Sequence, residues 1–212
     1  MVELRGAAAV LAAVIAAGPV AAQCVTAADL ARGVLFERQG EGLGSGVALP
    51  GGGVQVNYEH GRDGYADRRD MAMGLYETAV SHVTDPPDVV GAWSFLTESR
   101  EHAGRFPAPE PGRTWETTIT RRWEISDYSG MPQSGQERIA AVYAFLDPVE
   151  ASLSGCAYQV IPVEVRLTSD ERDVTRRYAF FPAIGMAIET RVTDHRTGEV
   201  VTHGITALRA VP

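Results

Sequence analysis

Apolar and polar side chains alternate with a period of two through most of this chain. In residues 115–125 the odd positions carry Trp115, Ile119, Trp123 and Ile125, and the even ones Glu116, Thr118, Thr120, Arg122 and Glu124. A helix would scatter those apolar groups around its circumference, whereas a half-buried strand collects them on one face. The same test places strands at 53–58 (Val54, Val56, Tyr58), 161–167 (Ile161, Val163, Val165, Leu167), 174–181, and 186–192, where Met186, Ile188 and Val192 oppose Glu189 and Arg191. Turn residues separate them at 169–172, 182–185 and 194–198, so from about residue 137 onward a meander of antiparallel strands is predicted.

The N-terminal half is less regular. Thr26 as N-cap, Asp29 and a terminating Gly33 predict one short helical turn, and 34–37 and 46–49 short strands. Residues 71–83 suit a long strand, and their Met-Ala-Met-Gly-Leu-Tyr segment also suits a helix. Between about 84 and 113 the pattern lapses into Asp85-Pro86-Pro87 and a Pro-x-Pro-x-Pro segment at 107–111, which predicts a long Pro-rich connection with one helical turn near 98–102. The expected fold is mainly β: a single-domain curved antiparallel sheet or partly closed β-barrel over 23–212, with little helix. A lipid-facing barrel fits less well, because of the Pro-rich interruption and the end of the chain at Ala210-Val211-Pro212, without a terminal aromatic.

The first 22 residues break the period. An uncharged run at 6–17 is closed by Gly18-Pro19 and followed by Val20-Ala21-Ala22. Twelve helical residues rise about 18 Å, short of a hydrocarbon core of about 30 Å. This is the pattern of a signal peptide cleaved after Ala22, which implies a periplasmic or secreted protein. Cys24 is preceded by Gln23 rather than the small residue of a lipoprotein site, and no later apolar run reaches 18 residues. In an oxidising compartment Cys24 and Cys156, the only two cysteines, are expected to form a disulfide.

Charge narrows the partners. The formal net charge is -8, with 27 acidic residues against 19 basic ones, all of them arginine. Loss of Glu3 and Arg5 with the leader leaves it unchanged, and an acidic protein has no field with which to gather nucleic acid. Residues 42–49, followed by Tyr58-Glu59-His60, locally resemble the strand before the catalytic histidine of periplasmic trypsin-like proteases, but no Gly-x-Ser-Gly-Gly segment follows. His60, His82, His102, His195 and His203 have no metal-ligand spacing, two cysteines are too few for a cage, and Asp63, Asp67 and Asp70 are interleaved with Arg62, Arg68 and Arg69. Neither a metal nor another cofactor is predicted, and 62–70 reads as a solvated charged turn.

The aromatic residues Trp93, Trp115, Trp123, Tyr178, Phe180 and Phe181 are candidates to line an apolar cavity, with ordinary core packing as the alternative. The expected role is therefore non-catalytic: an exported envelope protein that binds a hydrophobic ligand, a lipid-like group or another envelope protein on the concave face of its sheet. In outline such an architecture resembles periplasmic carrier proteins with an incomplete barrel, a likeness carried by no motif. Two alternatives remain: an envelope hydrolase in which some of Glu59, His60, Asp63, His102 and His203 converge, and a structural subunit with an exposed apolar patch or sheet edge.

Overall fold

The computed structural model describes residues 23–40, 42–60, 65–84, 93–127 and 130–212. Residues 1–22, where the leader is predicted, Asp63 and Asp85-Pro86-Pro87 lie outside them, as does the side chain of His60. After a 3-10 turn at Ala27–Ala31 come fourteen strands: β1 (Val34–Arg38), β2 (Leu43–Ala48), β3 (Val54–His60), β4 (Tyr65–Ala72), β5 (Tyr76–Thr84), β6 (Ser94–His102), β7 (Thr114–Asp127), β8 (Gln133–Phe145), β9 (Val149–Leu153), β10 (Cys156–Thr168), β11 (Asp173–Phe181), β12 (Met186–Asp194), β13 (Val200–Thr202) and β14 (Ile205–Ala210).

All strand pairs are antiparallel, and the sheet runs β13-β12-β11-β10-β8-β7-β6-β5-β4-β3-β2-β1-β14, with β9 paired only to the first half of β10. The meander is thus interrupted once: β10 joins β8 directly, and β9 folds aside as a flap. The last segment spans from one end of the sheet to the other. β13 pairs with β12, His203 donates its N–H to Thr190 O (2.7 Å), Gly204 O accepts from Gln39 N (2.7 Å), and β14 pairs with β1. The sheet curls almost round without closing into a barrel.

Two stretches differ from their sequence reading. Residues 71–83 are neither one strand nor a helix: β4 ends at Ala72, the chain reverses through 73–75, and β5 begins at Tyr76. Gly74 makes that reversal, with φ +68° and a place where a Cβ would lie 1.9 Å from Gly185 O. This close approach docks the β4–β5 turn onto the β11–β12 turn, where Met71, Leu75, Ile184 and Met186 are all buried. The predicted connection at 84–113 contains β6, and 98–102 is strand rather than helical turn. Its alternation was obscured because Glu98 and Arg100 face inward while Phe95, 39% exposed, faces out.

The N-terminal turn is held as expected. The Asp29 carboxylate accepts the Thr26 N–H (2.9 Å) and hydroxyl (3.0 Å), and Gly33, at φ +116°, ends the turn. Cys24 and Cys156 form a disulfide, and beside it Val25 N donates to Tyr158 Oη at 2.9 Å. Among the described residues no helix is long and apolar enough to cross a membrane. The outward positions of β7 and β10 carry Glu116, Arg122, Glu124, Glu164 and Arg166, which interrupt the continuous apolar band that a lipid-facing barrel presents.

Candidate functional site

Inside the curled sheet, one end is apolar and the middle is charged. Arg69 on β4 donates to Glu77 Oε1 (3.0 Å) on β5 and to Glu189 Oε2 (2.8 Å) on β12; Arg176 on β11 reaches the same Glu189 oxygen at 3.0 Å. Arg100 on β6 bonds Glu77 and Glu98, and Arg121 on β7 bonds Glu98 and, at 3.3 Å, Glu137 on β8. Tyr178 Oη adds a 2.9 Å bond to Glu77, and Arg38 and Arg69 flank the Tyr58 ring. Most of these side chains are about as buried as the apolar core.

Alternating sign along this belt is what makes it tolerable. Burial raises a carboxylate's pKa, but at Glu77 the guanidinium groups of Arg100, Arg69 and Arg176 outweigh burial and hold the carboxyl well below its ordinary range. Glu189 and Glu98 are lowered in the same way against the same burial penalty. Arginine suits this position because its planar fork serves two carboxylates at once and stays charged. The all-arginine composition thus has an interior cause as well as solvent-facing positions.

A belt so filled leaves no room for a ligand. The enclosed space bounded by Leu75, Glu77, Arg100, Ile119, Tyr143, Val165, Leu167 and Tyr178 measures about 10 Å³, at most one water molecule. At the end of the sheet bearing the Pro-rich segment, Tyr76, His102, Phe106, Trp115 and Tyr143 pack together, with Tyr76 Oη donating to Pro107 O (2.7 Å). Aromatic packing thus occupies the space between the sheet and Phe106-Pro107.

His102 is held neutral in that cluster. Its Nε2 lies 3.1 Å from Tyr143 Oη, and burial first, then Arg100, pulls its pKa down to about 4. Unfolding restores a value near 6.5, so the unfolded chain binds more protons across that interval. The stability this histidine contributes is full above about pH 6.5 and is lost as pH falls toward 4. His102→Phe, which preserves the ring packing, is expected to flatten the melting temperature between pH 6.5 and 4; a profile parallel to the parent's would contradict the assignment.

The predicted aromatic residues do not converge. Trp93 is 44% exposed before β6, Trp115 belongs to the cluster over the Pro-rich segment, and Tyr178 and Phe180 face the interior. Trp123 lies on Gly135 across β7 and β8, where a Cβ would come within 2.5 Å of its ring. Of the hydrolase candidates, Glu59 is exposed on the outer face, His102 is inside, and His203 sits in the β13–β14 link. Strand register places His102 and the β3 end at opposite ends of the sheet, since β6 begins beside the end of β5 that pairs with Tyr65. Asp67 and Asp70 are on opposite faces of β4, which is strand rather than solvated turn, and no three potential ligands come together among the described residues.

Recesses of about 390 Å³ beside Trp123, Glu137 and Ser169 and of about 300 Å³ beside Glu98, Arg122 and Glu124 are lined largely by polar and charged side chains, whereas an apolar one lies outside the belt, under the β9 flap. A groove of about 260 Å³ is lined by Val149, Ala151 and Leu153 of β9, Val160 and Pro162 of β10, Arg177, Tyr178, Ala179 and Phe181 of β11, Thr190 of β12 and Ile205 of β14. It is overwhelmingly apolar, with Arg177 as its one charged group, loosely paired to Glu164 at 3.9 Å. Tyr178 and Phe181 were among the candidate aromatics; β9 and Arg177 were not, because a flap that leaves the sheet path has no signature in alternation. The chain has no match among known protein families, curated proteins or solved structures.

A second arrangement occurs on β4 and β5. Asp67 stands directly across from His82, whose Nδ1 contacts Asp67 Oδ1 and whose Nε2 lies 3.0 Å from Thr84 Oγ1. Neither His82 nor Thr84 was singled out as part of a site, since the pairing appears only once the turn at 73–75 sets the register.

Proposed function

We propose that this is an exported envelope protein, periplasmic or secreted, that binds the apolar tail of a small amphiphile in the groove beneath β9. The single observation behind the reading is that groove: an apolar recess with one arginine at its wall, beside a charged belt whose enclosed space is only about 10 Å³. The disulfide is compatible with export. A volume of about 260 Å³ is just below the usual range for ligand sites, about 300–1,000 Å³, so the occupant is a single chain rather than a diacyl lipid. Arg177 favours a carboxylate head group, which it can hold through two parallel bonds.

Isothermal titration with octanoate, decanoate and dodecanoate tests this. Each added methylene contributes about 0.8 kcal/mol while it is being buried, a tightening of about fourfold per carbon that levels off once the groove is filled. Arg177→Gln is expected to weaken carboxylates while leaving the corresponding alcohols unchanged. Absence of saturable heat with all three acids would refute the reading.

A further inference from the structure

We propose that Asp67, His82 and Thr84 form a second, chemically active site, in which the Thr84 hydroxyl is a nucleophile toward small activated esters. Thr84 and His82 are two residues apart on β5 and share a face, and β4 brings Asp67 opposite the imidazole. With the Nδ1–H donating its hydrogen bond to Asp67, the Nε2 lone pair is free to accept from the Thr84 hydroxyl 3.0 Å away. Nucleophile, base and orienting carboxylate are thus connected in the order that hydroxyl activation requires.

The carboxylate is itself positioned by the interior. Asp67 Oδ2 lies 3.4 Å from Arg69 Nη2, and Arg69 is fixed by Glu77 and Glu189. The Asp67 side chain is 16% exposed and that of His82 32%, so the carboxylate is held in protein while one side of the imidazole meets solvent. A structural histidine would need only the Asp67 contact; here its second nitrogen is also engaged by the hydroxyl of the half-buried Thr84.

In the reaction, Thr84 Oγ1 adds to the ester carbonyl carbon and its proton passes to His82 Nε2. The tetrahedral adduct collapses, breaking the carbon–oxygen bond to the leaving alcohol, which takes that proton. Water then attacks the acyl-Thr84 ester with His82 again as base, giving the carboxylic acid and restoring the hydroxyl. No oxidant, metal or other co-reactant is consumed. Asp67 acts as a positioning residue, and Arg69 through it.

The probe is p-nitrophenyl acetate, applied to the full disulfide-bonded protein. The expected result is a burst of nitrophenolate and, in peptide mapping of the quenched protein, an acetyl group on Thr84. Thr84→Ala and Asp67→Asn should each slow release about 100-fold, whereas Thr84→Ser should keep the burst and carry the acetyl group at the same position. Acetylation confined to other residues, or parental release by Thr84→Ala, would overturn the proposal; the mapping uses the unmodified protein and so does not depend on any variant folding.

Discussion

Glu77→Ala is expected to destabilise the protein by about 3–5 kcal/mol, because it strips the shared carboxylate from Arg69, Arg100 and Arg176 and leaves their charge buried without compensation. For a chain of this length that is a fall in melting temperature of about 6–20 °C. Glu101→Ala is the matched control: its carboxylate is 73% exposed, 3.4 Å from an exposed Arg122, and should change stability by no more than about 0.5 kcal/mol. The belt also dictates acid behaviour. Glu77, Glu189 and Glu98 have lowered pKa values in the folded protein, so their contribution is complete above the ordinary value of 4.5 and is lost progressively below it. Thermal melts from pH 6 to 2 should steepen downward below about pH 4.5 in the parent and less so in Glu77→Ala. An unchanged melting temperature in that variant would place the belt in water.

Replacing Cys24 and Cys156 by serine carries the second large effect. The bridge closes a loop with a sequence separation of 132, for which the chain-entropy model assigns about 5 kcal/mol, within an observed range of about 2–5. Total stabilities of domains run to only about 5–15 kcal/mol, so the loss is a large fraction. It also frees the segment that carries the Val25–Tyr158 bond and the bond from Ala27 N to Ala183 O (2.9 Å). Calorimetry of the double serine variant should show a drop comparable to that of the parent under reductant. Equal melting temperatures for the parent with and without reductant would mean that the disulfide constrains nothing.

Sequence periodicity identified the strands around Trp115–Ile125, Ile161–Leu167 and Tyr178–Phe181 because their inward positions are mostly apolar. It failed where the inward face is charged. Arg121 shares a face with Ile119 and Trp123, and Glu189 is buried while Ile188 lies on the opposite face. In β6 the usual sense is reversed, with Glu98 and Arg100 inside and Phe95 outside. Such residues alternate as regularly as any others, but a reading that equates charge with solvent assigns them to the wrong face or sees no strand at all. What reveals them is pairing across strands: Glu77 meets partners 8, 23 and 99 residues away, and no local window spans the two longer distances.

The same point governs function. The concave face, the natural place to expect a ligand, is occupied by its own ion pairs and aromatic rings, which is why the proposed ligand is assigned to the outer groove that β9 lines together with β10 and β11. A bulky side chain on the β9 flap that roofs the groove tests this directly. Titration of 11-(dansylamino)undecanoic acid into the parent and into Ala151→Trp should give saturable fluorescence enhancement for the parent and none for the variant at equal melting temperature. Equal binding by both proteins would contradict the groove as the site.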